Sequence, residues 1–331
     1  MNNMYFGQLL HIGFNMFHDE KSSFPKGYTA PAHLIASSKL RFDEDVFNKT
    51  VDTAIENGTN MIVLDVGEGI RYESHPELAV EGSLSPEWMY NTVKSLRAKG
   101  VEVVPKLNFS LTHNTWLGQY KRLGTQPIYK QVCADIIKEV CEIFDKPKMF
   151  HLGMNDENKS NDWIKYKQFV AFRQFMLWWR EFYELVGVCE ENGARAALWS
   201  DLANICTDDY LKYMSKDIVQ FHYYYKNFWC NYSGDFTDVQ FNGDTSSIPV
   251  DRTVLNTFVK LNRAGYDIIP TGSVSVDENN MENLAAFAKS VIDPSHLLGV
   301  MQTTWLPMTP ENLPAYEKAS EKLAKAKAKL L

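Results

Sequence analysis

The stretch Lys148-Met149-Phe150-His151-Leu152-Gly153-Met154-Asn155-Asp156-Glu157 decides the fold predicted for this chain of 331 residues. Its apolar run follows Pro147 and ends in a cluster of amides and acids. This pattern is typical of a buried central strand in a parallel sheet, because both faces of such a strand are covered. In alternating β/α proteins, chemistry is found at the carboxyl ends of the strands, so Asp156 and Glu157 form a candidate catalytic pair. For an isolated Asp-Glu pair, a solvated acidic loop is the competing interpretation, and the rest of the chain decides between the two.

Seven other apolar runs alternate with helical patterns along the chain. Ser85 and Pro86 illustrate a helix start, because Ser caps a helix and Pro suits its first position. Gly58 and Gly100 illustrate helix ends, each followed by a strand. The predicted strands are 8–17, 60–66, 101–108, 148–157, 196–201, 217–224, 266–271 and 297–305, and the predicted helices are 42–57, 85–99, 128–144, 162–192, 254–263, 281–292 and 310–331.

This alternation predicts a (β/α)8 TIM barrel. A chain of 331 residues is long enough for one barrel-sized domain, and no linker or shift in composition divides it. We therefore expect residues 1–331 to form a single barrel. The polar segment 227–249 is interpreted as a long loop between the sixth strand and the helix that follows.

The overall charge excludes some partners. The formal net charge is -7, whereas proteins that bind nucleic acids concentrate positive charge. The five cysteines form no C-x-x-C pair and are odd in number, which does not favour a disulfide framework. No apolar segment is long enough to span a bilayer, and the start lacks the pattern of a signal peptide. We expect a soluble protein without nucleic-acid or membrane partners, cytoplasmic as the sequence stands or exported if a leader precedes it.

Acids, amides and aromatic residues follow most of the predicted strands. The carboxyl ends of parallel strands meet at one opening of a barrel, which we call the mouth. Aromatic faces stack on the C–H faces of sugars, and acids and amides bind sugar hydroxyls, so this composition predicts a saccharide site. It lacks the Gly-rich loop and the basic clamp of phosphate sites. The residues at or just beyond the strand ends are Asp65, Glu68, Lys106, Asn108, His113, Asn155, Asp156, Glu157, Trp199, Asp201, His222, Tyr224, Gln302 and Trp305.

A metal site is the competing use of Asp and His at strand ends. Barrel hydrolases of that type usually carry an H-x-H pair at the end of the first strand, whereas His11 and His18 are too far apart to form one. We therefore rank a metal below a saccharide and expect no cofactor. No G-x-S-x-G motif or Cys-His arrangement indicates acyl transfer.

Three blocks of the chain resemble glycoside hydrolase family 20, the β-N-acetylhexosaminidases. Asn60-Met61 and residues 69–78 (GIRYESHPEL) are similar to the family passage K-M-N … G-W-R-x-E … P-x-L. Residues 99–108 (KGVEVVPKLN), with His113 beyond, are similar to R-G-I-E-V-I-P-E-I-D-x-P-G-H. Residues 150–157 (FHLGMNDE) resemble F-H-I-G-G-D-E. The order and spacing of the blocks agree across the first half of the barrel, with weaker similarity at Trp199, Asp201 and 299–305.

The resemblance implies roles for the acidic pair. In that family the Glu protonates the leaving oxygen, and the Asp orients the substrate's 2-acetamido group, which serves as the internal nucleophile. Carried over, Glu157 is the acid and Asp156 the orienting residue, which requires one extra residue after Gly153. In the ungapped register the pair is Asn155 and Asp156. We prefer the gapped register, because a bulge at a strand end is tolerated more readily than the loss of the orienting carboxylate. The substrate contacts that we assign are Asp65, Arg71, Asn108, His113, His151, Asn155, Trp199, Asp201, His222, Tyr224, Gln302 and Trp305.

Several positions depart from the family pattern. Gln8 stands where the sugar-binding Arg is expected, Asn108 replaces an Asp, and Leu306-Pro307 replace a Glu. Residues 271–273 (TGS) show no counterpart of the family's Tyr-x-Asp. These departures affect the binding of the sugar more than the acid, so a different sugar or linkage is expected.

Three hypotheses follow from the sequence. The first is a glycosidase with Glu157 as its general acid, and the second is a barrel that binds saccharides without cleaving them. The third is a mechanism with two acids, in which Asp65, Glu68 or Asp201 is the second carboxylate.

Overall fold

Eight parallel strands close into a barrel in this computed structural model of the chain. The structure describes residues 4–19, 27, 29–121, 123–157, 173–226, 229–232, 239–242 and 248–331. The barrel strands are β1 Tyr5–His11, β2 Met61–Asp65, β3 Glu102–Lys106, β4 Met149–His151, β5 Arg195–Trp199, β6 Val219–Tyr223, β9 Ile268–Ser273 and β10 Gly299–Thr303. Around the barrel they follow chain order, and β1 closes against β10. The predicted TIM barrel is confirmed.

Eight helices lie among the described residues. Asp43 caps α1 by accepting the Val46 N–H, and Ser85 caps α2 by accepting the Trp88 N–H, as the sequence predicted for α2. The helices are α1 Glu44–Glu56, α2 Pro86–Ala98, α3 Pro127–Ile143, α4 Met176–Glu191, α5 Thr207–Tyr213, α6 Ile248–Arg263, α7 Asn280–Val291 and α8 Leu313–Leu330. Along these helices no span is both long and apolar enough to cross a membrane.

Three segments differ from the prediction. Helix α5 was not predicted, because it is only seven residues long and carries one buried apolar side chain, Tyr210. The predicted helix 162–192 is confirmed only for α4, since residues 158–172 lie outside the described part of the chain. The predicted loop 227–249 contains an antiparallel hairpin, β7 Trp229–Tyr232 and β8 Val239–Asn242, and its other residues up to 247 are outside the described ranges.

Side chains alternate along each strand between two separate cores. On β2, Met61 and Val63 belong to the core inside the barrel, whereas Ile62 and Leu64 belong to the core between strands and helices. The inner core also contains residues such as Phe221 on β6. Because the period of a strand is two, this alternation decides which polar residues near the strand ends can face the mouth.

Candidate active site

A buried ionic cluster lies at the carboxyl ends of the first four strands. His11, Asp65, Lys106 and His151 are successive partners in the strand register, so their side chains share the inner face of the barrel. The Nζ of Lys106 lies 2.6 Å from Oδ2 of Asp65, and Nδ1 of His11 lies 3.3 Å from the same oxygen. Burial lowers the pKa of both histidines, which favours their neutral forms. The carboxylate of Asp65, a predicted substrate contact, forms a buried ion pair with Lys106.

Four aromatic side chains form a continuous wall at the same end of the barrel. This aromatic wall consists of Trp199, Tyr223, Tyr225 and Trp305. Ring centroids are 5.8 Å apart for Trp199 with Tyr223, 5.1 Å for Tyr223 with Tyr225, and 5.8 Å for Trp199 with Trp305. Trp199 is buried against His151, whereas Tyr223, Tyr225 and Trp305 are partly exposed. The wall offers ring faces and edges of the kind that bind sugars.

Two carboxylates, Asp156 and Asp201, lie beside the aromatic wall. The backbone N–H of Asp156 donates to Oδ2 of Asp201 at 2.9 Å. Burial raises the pKa of Asp201 well above its usual value, and the negative charge of Asp156 raises it further. Burial, followed by the charges of Asp156 and Asp201, also raises the pKa of Tyr223. The mouth is therefore acidic and aromatic.

Asp156 is the more accessible of the two acids. Its side chain is 22% exposed, and its Oδ2 lies 3.6 Å from Nε2 of His113. The amide of Asn155 donates to the same oxygen at 2.7 Å and accepts from the amide of Asn108 at 2.9 Å. The predicted contacts His113, Asn108 and Asn155 are thus brought together around Asp156.

An unusual backbone turn precedes this acid. Gly153, Met154 and Asp156 have positive φ values of 73°, 67° and 62°. A Cβ at Gly153 would lie 2.5 Å from Oδ1 of Asn108, so only glycine fits there. Positive φ values at Met154 and Asp156 cost free energy that their surroundings must offset, and such strain is typical of functional sites.

Glu157 does not face the mouth, contrary to the prediction. Its Oε1 accepts from Nη1 of Arg173 at 2.7 Å and from the backbone N–H of Leu111 at 2.8 Å, and its side chain is 1% exposed. Arg173 in turn pairs with Glu181 of α4, so the carboxylate of Glu157 lies on the helix side of the strands. The gapped register required Glu157 to be accessible from the mouth, whereas the structure places Asp156 there.

Three further predicted contacts also point toward the helices. His222 is held between the hydroxyl of Ser200 and the carbonyl oxygen of Val254. Tyr224 belongs to the core between strands and helices. Gln302 pairs in register with Gln8, whose amide donates to Tyr316 O on α8. His222 and Gln302 occupy outward positions of β6 and β10, and Tyr224 occupies an outward position just after β6, so all three face away from the mouth.

Arg71 lies exposed on the loop after β2, where its guanidinium donates to Ser83 O. This position is outside the cluster of acids and rings. The sequence interpretation also missed Tyr223 and Tyr225, which alternate with His222 and Tyr224. Phe221 faces the inside of the barrel, and inward positions recur every second residue along a strand. Tyr223 and Tyr225 are therefore the next inward positions. No cluster of three or more metal-binding side chains occurs within the described ranges.

Comparison with known proteins supports the fold. No family model matches the sequence, and no curated protein matches it significantly. Among solved structures, the chitobiase of Flavobacterium johnsoniae aligns with a TM-score of 0.59 at 18% identity, covering 87% of this chain and 48% of that one. The β-N-acetylhexosaminidase of Bacteroides fragilis gives 0.58 at 12% identity over 96% of this chain and 66% of its own, and a structure of pneumococcal StrH gives 0.60 at 12% identity over 100% and 86%.

The chain has the barrel fold of glycoside hydrolase family 20. The predicted resemblance to that family is confirmed at the level of fold. The chain spans about half to two thirds of the length of the first two of these structures.

Proposed function

We propose that the chain is a glycoside hydrolase in which Asp156 donates a proton to the leaving oxygen. The observation that carries this proposal is a partly exposed carboxyl group held in an aromatic mouth beside a second, buried carboxyl, Asp201. Two neighbouring carboxyl groups do not readily ionise together, and burial and then the charge of Asp156 raise the pKa of Asp201, so the pair holds a proton above the usual Asp pKa. A retained proton is what a general acid requires.

The ungapped register of the resemblance agrees with this role. Asp156 then takes the place of the family's acid, and Asn155 takes the place of the residue that orients the 2-acetamido group. Both oxygen and nitrogen of the Asn155 amide are engaged, with Asn108 and Asp156 respectively. A neutral amide stabilises a positively charged intermediate less than a carboxylate does, so we expect slow turnover by the acetamido route.

The aromatic wall and the structural neighbours support a saccharide as the substrate. The neighbours are named as a chitobiase and a β-N-acetylhexosaminidase, so aryl β-N-acetylhexosaminides are the first substrates to test. A panel of other aryl glycosides then tests for the different sugar that the departures from the family pattern predict.

The test compares the wild type with Asp156→Asn on that panel. On the glycoside that is cleaved, we expect kcat to fall by roughly 10²–10⁴-fold, because general acid catalysis contributes that much. An unchanged Tm shows that the variant is folded. Full activity in the folded variant would contradict the proposal.

A barrel that binds saccharides without cleaving them is the second candidate. The observation in its favour is the amide of Asn155 at the position where the ungapped register expects a carboxylate. It predicts that calorimetry detects saccharide binding to the wild type while no member of the glycoside panel is hydrolysed.

A further inference from the structure

The carboxylate of Glu157 is anchored at both oxygens. Oε1 accepts from Arg173 Nη1 and from the Leu111 N–H, and Oε2 accepts from the Arg173 backbone N–H at 3.2 Å. The side chains of Glu157 and Arg173 are each 1% exposed. A group so buried and saturated cannot reach a ligand, but it holds its own backbone firmly.

Arg173 connects this anchor to three parts of the barrel. Its Nε donates to Glu181 on α4 at 3.0 Å, and its Nη2 donates to Phe109 O, in the loop after β3, at 2.9 Å. Its Nη1 also lies 3.7 Å from the sulfur of Met154, inside the strained turn. The guanidinium therefore ties the loops after β3 and β4 to a helix.

The strained turn needs such an anchor. Met154 and Asp156 both hold positive φ values, and each non-glycine residue in that region costs about 1–2 kcal/mol. The turn would relax unless contacts on each side hold it. On one side, Asp201 accepts the Asp156 N–H, and on the other, Glu157 is bound to Arg173.

We propose that Glu157 and Arg173 are positioning residues that hold Asp156 in its orientation toward the mouth. This inference rests on the proposed role of Asp156 as the acid. It assigns a function to the second acid of the Asp-Glu pair that involves no contact with substrate.

The test compares two variants that each remove one carboxylate from Arg173. Glu157→Gln weakens the anchor next to Asp156, whereas Glu181→Gln weakens the same guanidinium on the α4 side. We expect both to lower Tm, but only Glu157→Gln to lower kcat, by about 10- to 100-fold, since a misplacement of about 1 Å can cost 10². KM should change little in both variants.

A double variant guards against misfolding. Glu157→Gln with Arg173→Met removes both buried charges, and replacing a whole buried pair is often neutral for stability. Glu181 then keeps Lys130, which lies 3.4 Å away. We expect this variant to fold with a Tm close to that of the wild type and still to lose kcat.

The outcomes separate this inference from the proposed function. Equal kcat in Glu157→Gln, Glu181→Gln and the wild type would overturn the positioning role while leaving the Asp156 assignment intact. Full activity of Asp156→Asn would overturn the proposed function itself. A loss in Glu157→Gln that is abolished on substrates with good leaving groups would make Glu157 the acid and would also overturn the positioning role.

Discussion

Asp156 and Glu157 are neighbours in sequence but occupy opposite electrostatic environments. Asp156 is partly exposed in the mouth and faces another acid, Asp201, whereas Glu157 is sealed against the helices and faces a cation, Arg173. Burial raises the pKa of Asp201, and the charge of Asp156 raises it further. Burial also raises the pKa of Glu157, but there the positive charge of Arg173 opposes the shift. The mouth pair, Asp156 and Asp201, fits the proposed proton transfer, whereas the helix-side pair, Glu157 and Arg173, fits a structural role.

Removing the cation of the helix-side pair should have the largest effect. Arg173→Met leaves Glu157 and Glu181 buried without their guanidinium, and breaking a buried ion pair costs about 3–5 kcal/mol. Urea unfolding measures the loss. The double variant Glu157→Gln with Arg173→Met serves as the control and should recover most of it. If Arg173→Met were as stable as the wild type, Arg173 would not stabilise the buried carboxylates, and the contrast between the two pairs would be lost.

The turn that separates the two acids should be the next most sensitive. Gly153→Ala forces a Cβ against Asn108 at a positive φ, so we expect a loss of about 1–3 kcal/mol and a fall in kcat. Gly187→Ala in α4 is the matched control, because no atom lies within 4 Å of its added Cβ, and it should gain about 0.5–1 kcal/mol. Thermal unfolding and steady-state kinetics check both. Equal effects of the two substitutions would contradict the strained turn.

Replacing Asp201 of the mouth pair by Asn should have the smallest effect on stability, and it should increase stability rather than lower it. The pKa of Asp201 is raised in the folded state, so its contribution is most favourable at low pH, and stability falls as pH rises from the usual Asp pKa through the raised value. Asp201→Asn cannot ionise and escapes this loss. We expect its Tm to exceed the wild type by a few °C at pH 7, on the order seen for single stabilising changes, with no advantage at pH 3. Activity should fall.

If Asp201→Asn were less stable than the wild type at pH 7 but equally stable at pH 3, ionised Asp201 would stabilise the fold. That result would remove the contrast between the two pairs.

Much of the fold was predictable because barrel strands are buried on both faces and appear as apolar runs. All eight were located, with ends shifted by several residues where polar residues continue beyond the sheet. Helix α5 was missed because it is only seven residues long and carries one buried apolar side chain, so it shows no helical periodicity.

The site was predicted less well because orientation is not visible in composition. The structure brings Asp156, Asp201, Asn108, Asn155, Trp199 and Trp305 together at the mouth, all of which the sequence had singled out, but it places Glu157 on the helix side. His222 and Tyr224 were chosen over Tyr223 and Tyr225, although inward positions alternate along β6 from Phe221. The turn at 153–156 could not be predicted, because Met154 has no preference for positive φ and even Asp, which is enriched there, adopts it only in a minority of cases. Its geometry is what brings Asp156 rather than Glu157 to the mouth.

The most direct test is a crystal structure of the protein with an uncleaved saccharide analogue bound in the mouth. We expect a carboxyl oxygen of Asp156 to lie about 2.6–3.2 Å from the glycosidic oxygen, with Glu157 still paired to Arg173. A sugar in contact with Glu157, with Arg173 displaced from it, would contradict the account.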